Sequence, residues 1–241
     1  MFLYENAWQD VKARIERAAR AAGRDPATIR VLAVSKTFPP EAVRAQYALG
    51  QRAFGENYVQ EALAKMAALP DLADAEWHLI GPLQGNKAKA VAERFAWVET
   101  VDRARIAERL AAARPAGMPP LDVCVQVNIS GEASKSGVAP ADAVALARVV
   151  AGCAGLRLRG LMGMAEPTDD ARRQRAQFRV LRELFEACRA AGLAVDTLSM
   201  GMSADLEAAI AEGATLVRIG SALFGARQRR ADGEGAAAGA A

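Results

Sequence analysis

The chain has 241 residues, of which 52% are hydrophobic and 24% are charged, a balance typical of a soluble globular protein. Its 31 basic and 28 acidic residues nearly cancel, which argues against a nucleic-acid-binding face, and no apolar run approaches the ~20 residues of a membrane span. Three widely spaced cysteines and one histidine exclude a disulfide framework and a histidine-rich metal site, and the N-terminus lacks a signal-peptide pattern, so we expect a cytoplasmic protein.

The predicted elements begin with one amphipathic helix that ends at Gly23 and continue as eight repeats of a short apolar run followed by an amphipathic segment. The apolar runs predict strands at 31–36, 53–57, 77–81, 97–101, 121–128, 158–164, 197–200 and 215–220. The segments between them predict four helices with both ends defined, at 84–94, 102–113, 140–151 and 169–191. They also predict a helix that begins near 40, one that ends near 69, one that begins at 203, and a short helical turn after 220.

This alternation favours a parallel sheet, and eight units in about 200 residues match a (β/α)₈ TIM barrel. We therefore predict a single-domain α/β barrel over 1–226 with an extra N-terminal helix, and a doubly wound open sheet is the alternative. The strand at 53–57 is the least clear because it is short and contains Gly55. The segment 227–241 is mostly alanine and glycine, which predicts disorder.

Lys36 is the most informative residue, because active sites of such barrels lie at the C-terminal ends of the strands. By strand alternation it shares a face with Leu32 and Val34, so its amine points inward. Desolvation would lower its pKa and make it a nucleophile toward carbonyls. The alternative is that Lys36 tips into solvent or pairs with Glu56.

Arg218 is the second unusual charge, since it shares an inward face with Leu216 and Gly220. A buried guanidinium needs a partner. That partner is either a barrel carboxylate such as Glu99 or an anionic ligand. Both interpretations are compatible with the sequence.

Serine and glycine follow the last two predicted strands, at 199–203 and 220–221, where barrels often bind phosphate. Ser203 could instead be an ordinary N-cap and Gly220 an ordinary turn residue.

His78 is a candidate acid or base, or a hydrogen-bonded core residue. The polar loop 130–137 is a candidate mobile lid, and four methionines are predicted to line the core: Met162, Met164, Met200 and Met202.

Six segments together resemble the pyridoxal phosphate homeostasis proteins, the YggS/PROSC family. They read AVSKT at 33–37, FGENYVQE at 54–61, WHLIGPLQ at 77–84, the loop 127–137, SMGMSAD at 199–205 and VRIG at 217–220. The resemblance spans roughly residues 5–226. It implies a single barrel related to the N-terminal domain of alanine racemase that binds pyridoxal 5′-phosphate (PLP), with no metal.

The resemblance also implies roles for individual residues. Lys36 matches the lysine that forms a covalent aldimine with PLP, and Arg218 matches the arginine that faces the pyridine nitrogen. Positions that match phosphate contacts are Ser203, Gly220 and Ser221, and positions that match the pocket lining are Asn57, His78, Ser199 and Met200. Ser221 stands where threonine is frequent, which keeps the hydroxyl, and Gly85 stands where serine is common.

The family resemblance and the cationic Arg218 favour a PLP carrier without substantial turnover. Arginine disfavours the protonated ring nitrogen that makes PLP an electron sink. A two-base racemase also needs a second base, which is a tyrosine in alanine racemases, and this chain has only Tyr4, Tyr47 and Tyr58. We therefore predict a protein that maintains vitamin B6 and amino-acid homeostasis and assign no catalytic residue.

Two alternatives stay open: a weak PLP-dependent amino-acid racemase that uses Lys36 as a base, and a barrel that binds another phosphorylated ligand. Expected partners are PLP and apo forms of PLP-dependent enzymes, without nucleic acid or membrane, and the resemblance favours a monomer. Secondary PLP sites could form on other lysines: Lys65, Lys87, Lys89 and Lys135.

Overall fold

The computed structural model describes residues 2–131 and 136–225. The centre of the predicted lid, 132–135, and the segment predicted to be disordered, 227–241, lie outside the described residues. Within the described ranges, no helix is long and apolar enough to cross a membrane.

Eight parallel strands close into a barrel in sequential order, each paired with the strands before and after it and the last paired with the first. The strands are β1 (Arg30–Val34), β2 (Ala53–Glu56), β3 (Glu76–Leu79), β4 (Trp97–Val101), β5 (Leu121–Val127), β6 (Leu156–Gly163), β7 (Thr197–Ser199) and β8 (Leu216–Ile219). Closure confirms the barrel prediction and excludes the open sheet, and it confirms the least clear strand, β2.

Helices surround the barrel in the predicted order. They are α1 (Phe2–Ala21), α2 (Pro40–Ala48), α3 (Val59–Ala68), α4 (Ala88–Arg94), α5 (Ala104–Ala113), α6 (Ala143–Ala151), α7 (Ala171–Ala190), α8 (Leu206–Ala211) and α9 (Ser221–Phe224). The extra helix α1 packs its buried face against α8 and α9, and its Arg14 binds the carboxylate of Glu207 on α8. The N-terminal helix is therefore part of the barrel's outer layer.

The main apolar core lies between the strands and the helices, whereas the centre of the barrel combines two small apolar clusters with buried polar side chains. Residues in register on neighbouring strands face the same side of a sheet. Val34, Gly55, His78 and Trp97 are successive register partners on the first four strands, so they share one face. Buried polar side chains occupy that inner face on several strands: His78, Glu99, Asp122, Gln126, Ser199 and Arg218. Since buried polar groups need partners, these side chains constrain each other.

Ion pairs cluster at the N-terminal end of the barrel. Arg157 and Arg159 both bind the buried carboxylate of Asp122, and Arg159 also binds Asp196. The guanidinium of Arg159 lies 4.7 Å from the centre of the Trp97 ring. These contacts lie opposite to the C-terminal ends of the strands, where the other end of the barrel forms its mouth.

Gly160 is required by a close approach between β6 and β7. A Cβ atom at this position would lie 1.9 Å from the backbone oxygen of Thr197. We expect Gly160→Ala to force the strands apart and to lower the free energy of unfolding by about 3 kcal/mol. Urea unfolding measures this. Gly152→Ala is the control, because its Cβ would meet no atom of the described residues nearer than 3.6 Å. Equal stability of the two variants would contradict this account.

Candidate functional site

A cavity of about 460 Å³ opens at the C-terminal end of the strands. Among the residues that the structure describes, its lining combines one lysine, one arginine, several hydroxyls and an apolar wall. The lining residues are Val34, Lys36, Asn57, Ile80, Pro82, Gln126, Ser136, Met164, Met202, Ser203, Ala204, Arg218, Gly220 and Ser221. Six of the nine predicted site residues are thus brought together: Lys36, Asn57, Ser203, Arg218, Gly220 and Ser221.

Lys36 reaches the cavity from a turn, not from the strand. The predicted strand 31–36 is two residues too long, since β1 ends at Val34. The chain turns because Thr37 adopts a left-handed backbone conformation with φ 69°. The suggested pairing with Glu56 is replaced by another: Glu56 accepts hydrogen bonds from Ser35 and Lys65, both at 2.6 Å.

Arg218 projects from β8 and is 4% exposed. Its guanidinium donates one hydrogen bond to Ser199 Oγ at 2.7 Å and another to the backbone oxygen of Gly163 at 2.8 Å. Ser199 in turn donates to the buried carboxylate of Glu99. Glu99, the carboxylate expected to pair with Arg218, is therefore linked to it by hydrogen bonds through the Ser199 hydroxyl. Burial lowers the pKa of Arg218, and the negative charges of Glu99 and Asp205 oppose that shift.

His78 and Glu99 form a buried pair beneath Arg218. His78 Nδ1 lies 2.7 Å from Glu99 Oε1, and the imidazole stacks on Trp97 with ring centres 4.9 Å apart. Burial alone would raise the pKa of Glu99, but its hydrogen bond and charge interaction with His78, together with Arg218, bring it below the ordinary value. His78 is fully buried and does not line the cavity, which agrees with the alternative of a hydrogen-bonded core residue.

The serine and glycine corner lies on one side of the cavity. Ser203 and Ser221 both line it, together with Gly220, whereas Ser199 and Met200 are fully buried beneath. The helix predicted from Ser203 begins later, at Leu206, with Asp205 at the N-cap position. The Asp205 carboxylate accepts a hydrogen bond from the Met202 amide in the preceding turn. Ser203 is therefore a turn residue, and the N-cap alternative is wrong.

Asn57 carries an unsatisfied polar atom. Its side-chain oxygen is buried and has no hydrogen-bond partner within the described residues, although the residue lines the cavity. Gly81 allows the adjoining loops to approach, because a Cβ there would lie 2.1 Å from the Asn57 backbone oxygen. A ligand that donates a hydrogen bond would satisfy Asn57.

Sequence reasoning missed about half of the lining. Gln126 could have been predicted, because strand alternation along β5 places it on the inner face of the barrel with Asp122 and Cys124. The methionine prediction holds for Met162 and Met200, which are buried, but is wrong for Met164 and Met202. These two are 40% and 37% exposed at the cavity, since each lies beyond the end of its strand. Ile80, Pro82 and Ser136 lie in segments that carry the family resemblance, but these three side chains were not identified individually as site residues.

Lys65, one of the lysines considered for a secondary site, is buried and bound to Glu56 and Glu61. Lys135 lies outside the described residues. Among the residues that the structure does describe, no three histidine, cysteine, aspartate or glutamate side chains cluster closely enough to hold a metal ion.

The donor set suits an aromatic aldehyde that carries an anionic group. An amine can react with the aldehyde, hydroxyls and backbone amides beside Gly220 can bind the anion, and the orphaned Asn57 oxygen can accept a hydrogen bond. The apolar wall formed by Val34, Ile80 and Met164 can contact a flat ring. The residues present therefore fit PLP.

Comparisons with known proteins agree with this chemistry. Residues 8–228 match the family model of the alanine racemase N-terminal domain. The pyridoxal phosphate homeostasis protein of Pseudomonas aeruginosa is 62% identical over 217 residues, which are 90% of this chain and 93% of that protein. The structure of PipY from Synechococcus elongatus with PLP bound is 40% identical with a TM-score of 0.76, covering 88% of this chain and 99% of that one.

Enzymes share the fold at lower identity. D-threonine aldolase from Filomicrobium marinum is 23% identical with a TM-score of 0.74, and the match covers 92% of this chain and 60% of the aldolase. That likeness concerns the barrel alone, whereas the two closer matches extend over nearly the whole length of both partners. The chain belongs to the pyridoxal phosphate homeostasis proteins, a group built on the alanine racemase N-terminal domain.

Proposed function

We propose that the chain binds PLP in the cavity as a Schiff base on Lys36 and holds or releases it to maintain vitamin B6 and amino-acid balance. The observation that carries the proposal is that Lys36 and the buried Arg218 line one cavity. PLP bound to its relative PipY supports the ligand. Ser203, Gly220 and Ser221 would bind the phosphate, and Asn57 would contact the ring substituents.

The environment of Arg218 favours holding over turnover. Bound PLP supplies an electron sink whose strength depends on protonation of its ring nitrogen. Arg218 remains cationic, and Ser199 and the Gly163 carbonyl fix its guanidinium in place. A fixed positive charge at the ring nitrogen would oppose protonation there and restrain carbanion chemistry.

The distribution of tyrosines also supports a carrier. The lining residues that the structure describes include no tyrosine. Tyr4 packs against Phe224, Tyr47 donates a hydrogen bond to Asp74, and Tyr58 is 60% exposed. None of the three is placed as the second base of a racemase.

Partners and location follow from the same proposal. A carrier that releases PLP would supply apo forms of PLP-dependent enzymes, and the three cysteines are all free, as expected in a reducing cytoplasm. We propose a monomer.

Three predicted site residues are buried and do not line the cavity: His78, Ser199 and Met200. In the proposed function they support Arg218 and the cavity wall without direct contact with PLP.

Lys36→Ala tests the binding mode. We expect the purified wild-type protein with PLP to show the visible absorption band of a Schiff base, and borohydride reduction followed by peptide mapping to place the reduced cofactor on residue 36. Lys36→Ala should lose both signals, because only an amine at this position can react with the aldehyde. Lys89→Ala is the control, since its side chain is 81% exposed in the Lys89–Glu93 pair on α4. Retention of the band in Lys36→Ala would overturn the proposed site.

Turnover tests the carrier against the racemase alternative. Incubation of the PLP-loaded protein with alanine in D₂O should exchange the α-proton no faster than free PLP does, because Arg218 restrains the electron sink. Nuclear magnetic resonance follows the exchange. Exchange that is faster than the free-PLP control and depends on Lys36 would establish the weak racemase instead.

Glu99→Gln tests the support of Arg218. Removing the buried negative charge should destabilise the protein at neutral pH by about 3 kcal/mol. The folded state holds the pKa of Glu99 below its ordinary value, so the wild-type advantage is fully present above that value and shrinks as the pH falls below it. Urea unfolding at several pH values measures this. Glu207→Gln, in the exposed pair with Arg14, should cost under about 1 kcal/mol. A pH-independent difference between wild type and Glu99→Gln would contradict the assignment.

A further inference from the structure

A second buried charge cluster lies outside the barrel wall, between β2 and α3. Lys65 Nζ is 2.6 Å from Glu56 Oε1 and 2.7 Å from Glu61 Oε1. The side chains of Lys65 and Glu56 are 5% and 0% exposed, and that of Glu61 is 28% exposed. A buried ion cluster is weak evidence for stability, because desolvation offsets much of its attraction. Its contacts with the backbone indicate another role.

The cluster binds the chain on both sides of Lys36. Lys65 Nζ donates to the backbone oxygen of Ser35 at 2.6 Å, and Ser35 Oγ donates to Glu56 at 2.6 Å. The backbone amide of Thr37 donates to Glu61 Oε1 at 2.5 Å. The same Glu61 oxygen also accepts from Lys65, so one network holds residue 35 and residue 37.

The turn needs such support because Thr37 has a left-handed backbone with φ 69°, and it is the one non-glycine residue with positive φ in the described part of the chain. This conformation is unfavourable for a β-branched residue and persists only where surrounding contacts enforce it. The turn directs the chain from β1 so that Lys36 lines the cavity. The strain therefore lies beside the residue that would bind PLP.

We propose that Glu61 and Lys65 are positioning residues for Lys36, holding the strained turn at Ser35–Thr37 in the conformation that presents the amine to the ligand. The inference rests on the proposed function, because the ligand is PLP on Lys36. It assigns no chemistry to Glu61 or Lys65, which contact the backbone beside Lys36 and do not line the cavity.

The test combines Glu61→Ala with Thr37→Gly. Glu61→Ala removes the acceptor of the Thr37 amide, so the turn relaxes and the dissociation constant for PLP should rise about tenfold. Glycine adopts positive φ without steric cost, so Thr37→Gly in the Glu61→Ala background should recover at least half of that loss on a logarithmic scale. Absorption titration with PLP measures affinity, and thermal unfolding verifies that each variant is folded.

A second readout uses the PLP-free protein. Hydrogen exchange at the Thr37 amide should become at least about tenfold faster in Glu61→Ala, because the protecting hydrogen bond is gone. Glu93→Ala is the matched control. Glu93 pairs with Lys89 four residues earlier on α4, which is the spacing of Glu61 and Lys65, but the Lys89–Glu93 pair is exposed. Glu93→Ala should change neither PLP affinity nor exchange in the turn.

Two outcomes overturn the proposal. One is wild-type PLP affinity in Glu61→Ala, and the other is a loss of affinity that Thr37→Gly does not reverse, which would mean that Glu61 acts through something other than the turn. Both presuppose that the wild-type protein forms the Lys36 Schiff base. If the wild type itself does not, the proposed function fails first, and the exchange measurement alone still decides whether Glu61 holds the turn.

Discussion

The burial of one positive charge in the centre of the barrel constrains much of the rest of the structure. Arg218 is only 4% exposed, so the interior must supply acceptors: Ser199, the Gly163 carbonyl and, through Ser199, the carboxylate of Glu99. Glu99 then needs a donor of its own, which His78 provides from β3. The buried polar groups at the centre of this barrel are the consequence, and the main apolar core lies in the layer between strands and helices.

The two groups proposed to act on PLP are held from opposite sides of the barrel wall. Arg218 is fixed from within by the Ser199 hydroxyl on β7, which Glu99 on β4 supports, and by the Gly163 carbonyl on β6. The turn that carries Lys36 is fixed from outside by α3. Each support is a network of charged hydrogen bonds around a fully buried glutamate. A carrier benefits from this arrangement, because a rigid cationic residue and a precisely presented amine bind the cofactor without needing any group that accelerates chemistry.

Sequence reasoning succeeded where periodicity and residue type agree. Eight alternations of strand and helix predicted the closed barrel, and strand alternation placed Arg218 on the inner face, where it is found. It failed where the chain leaves regular structure. Lys36 was placed on a strand that ends two residues earlier, Ser203 was placed at a helix start, and Met164 was placed in the core, although it lines the cavity. Strand and helix periods carry no information beyond the last regular residue.

The sequence by itself determined the fold, the family resemblance and six of the residues that line the cavity, because hydrophobic periodicity and short motifs are local properties. Only the tertiary structure decided which partner each charge has. Arg218 meets Glu99 through Ser199, which is 100 residues from Glu99, and Lys65 replaces Lys36 as the partner of Glu56. These pairings depend on how strands far apart in sequence are registered and on which helix covers which strand. The contact between Ser199 and Glu99 arises only when the barrel closes, whereas the contact between Glu56 and Lys65 depends on how α3 packs on β2.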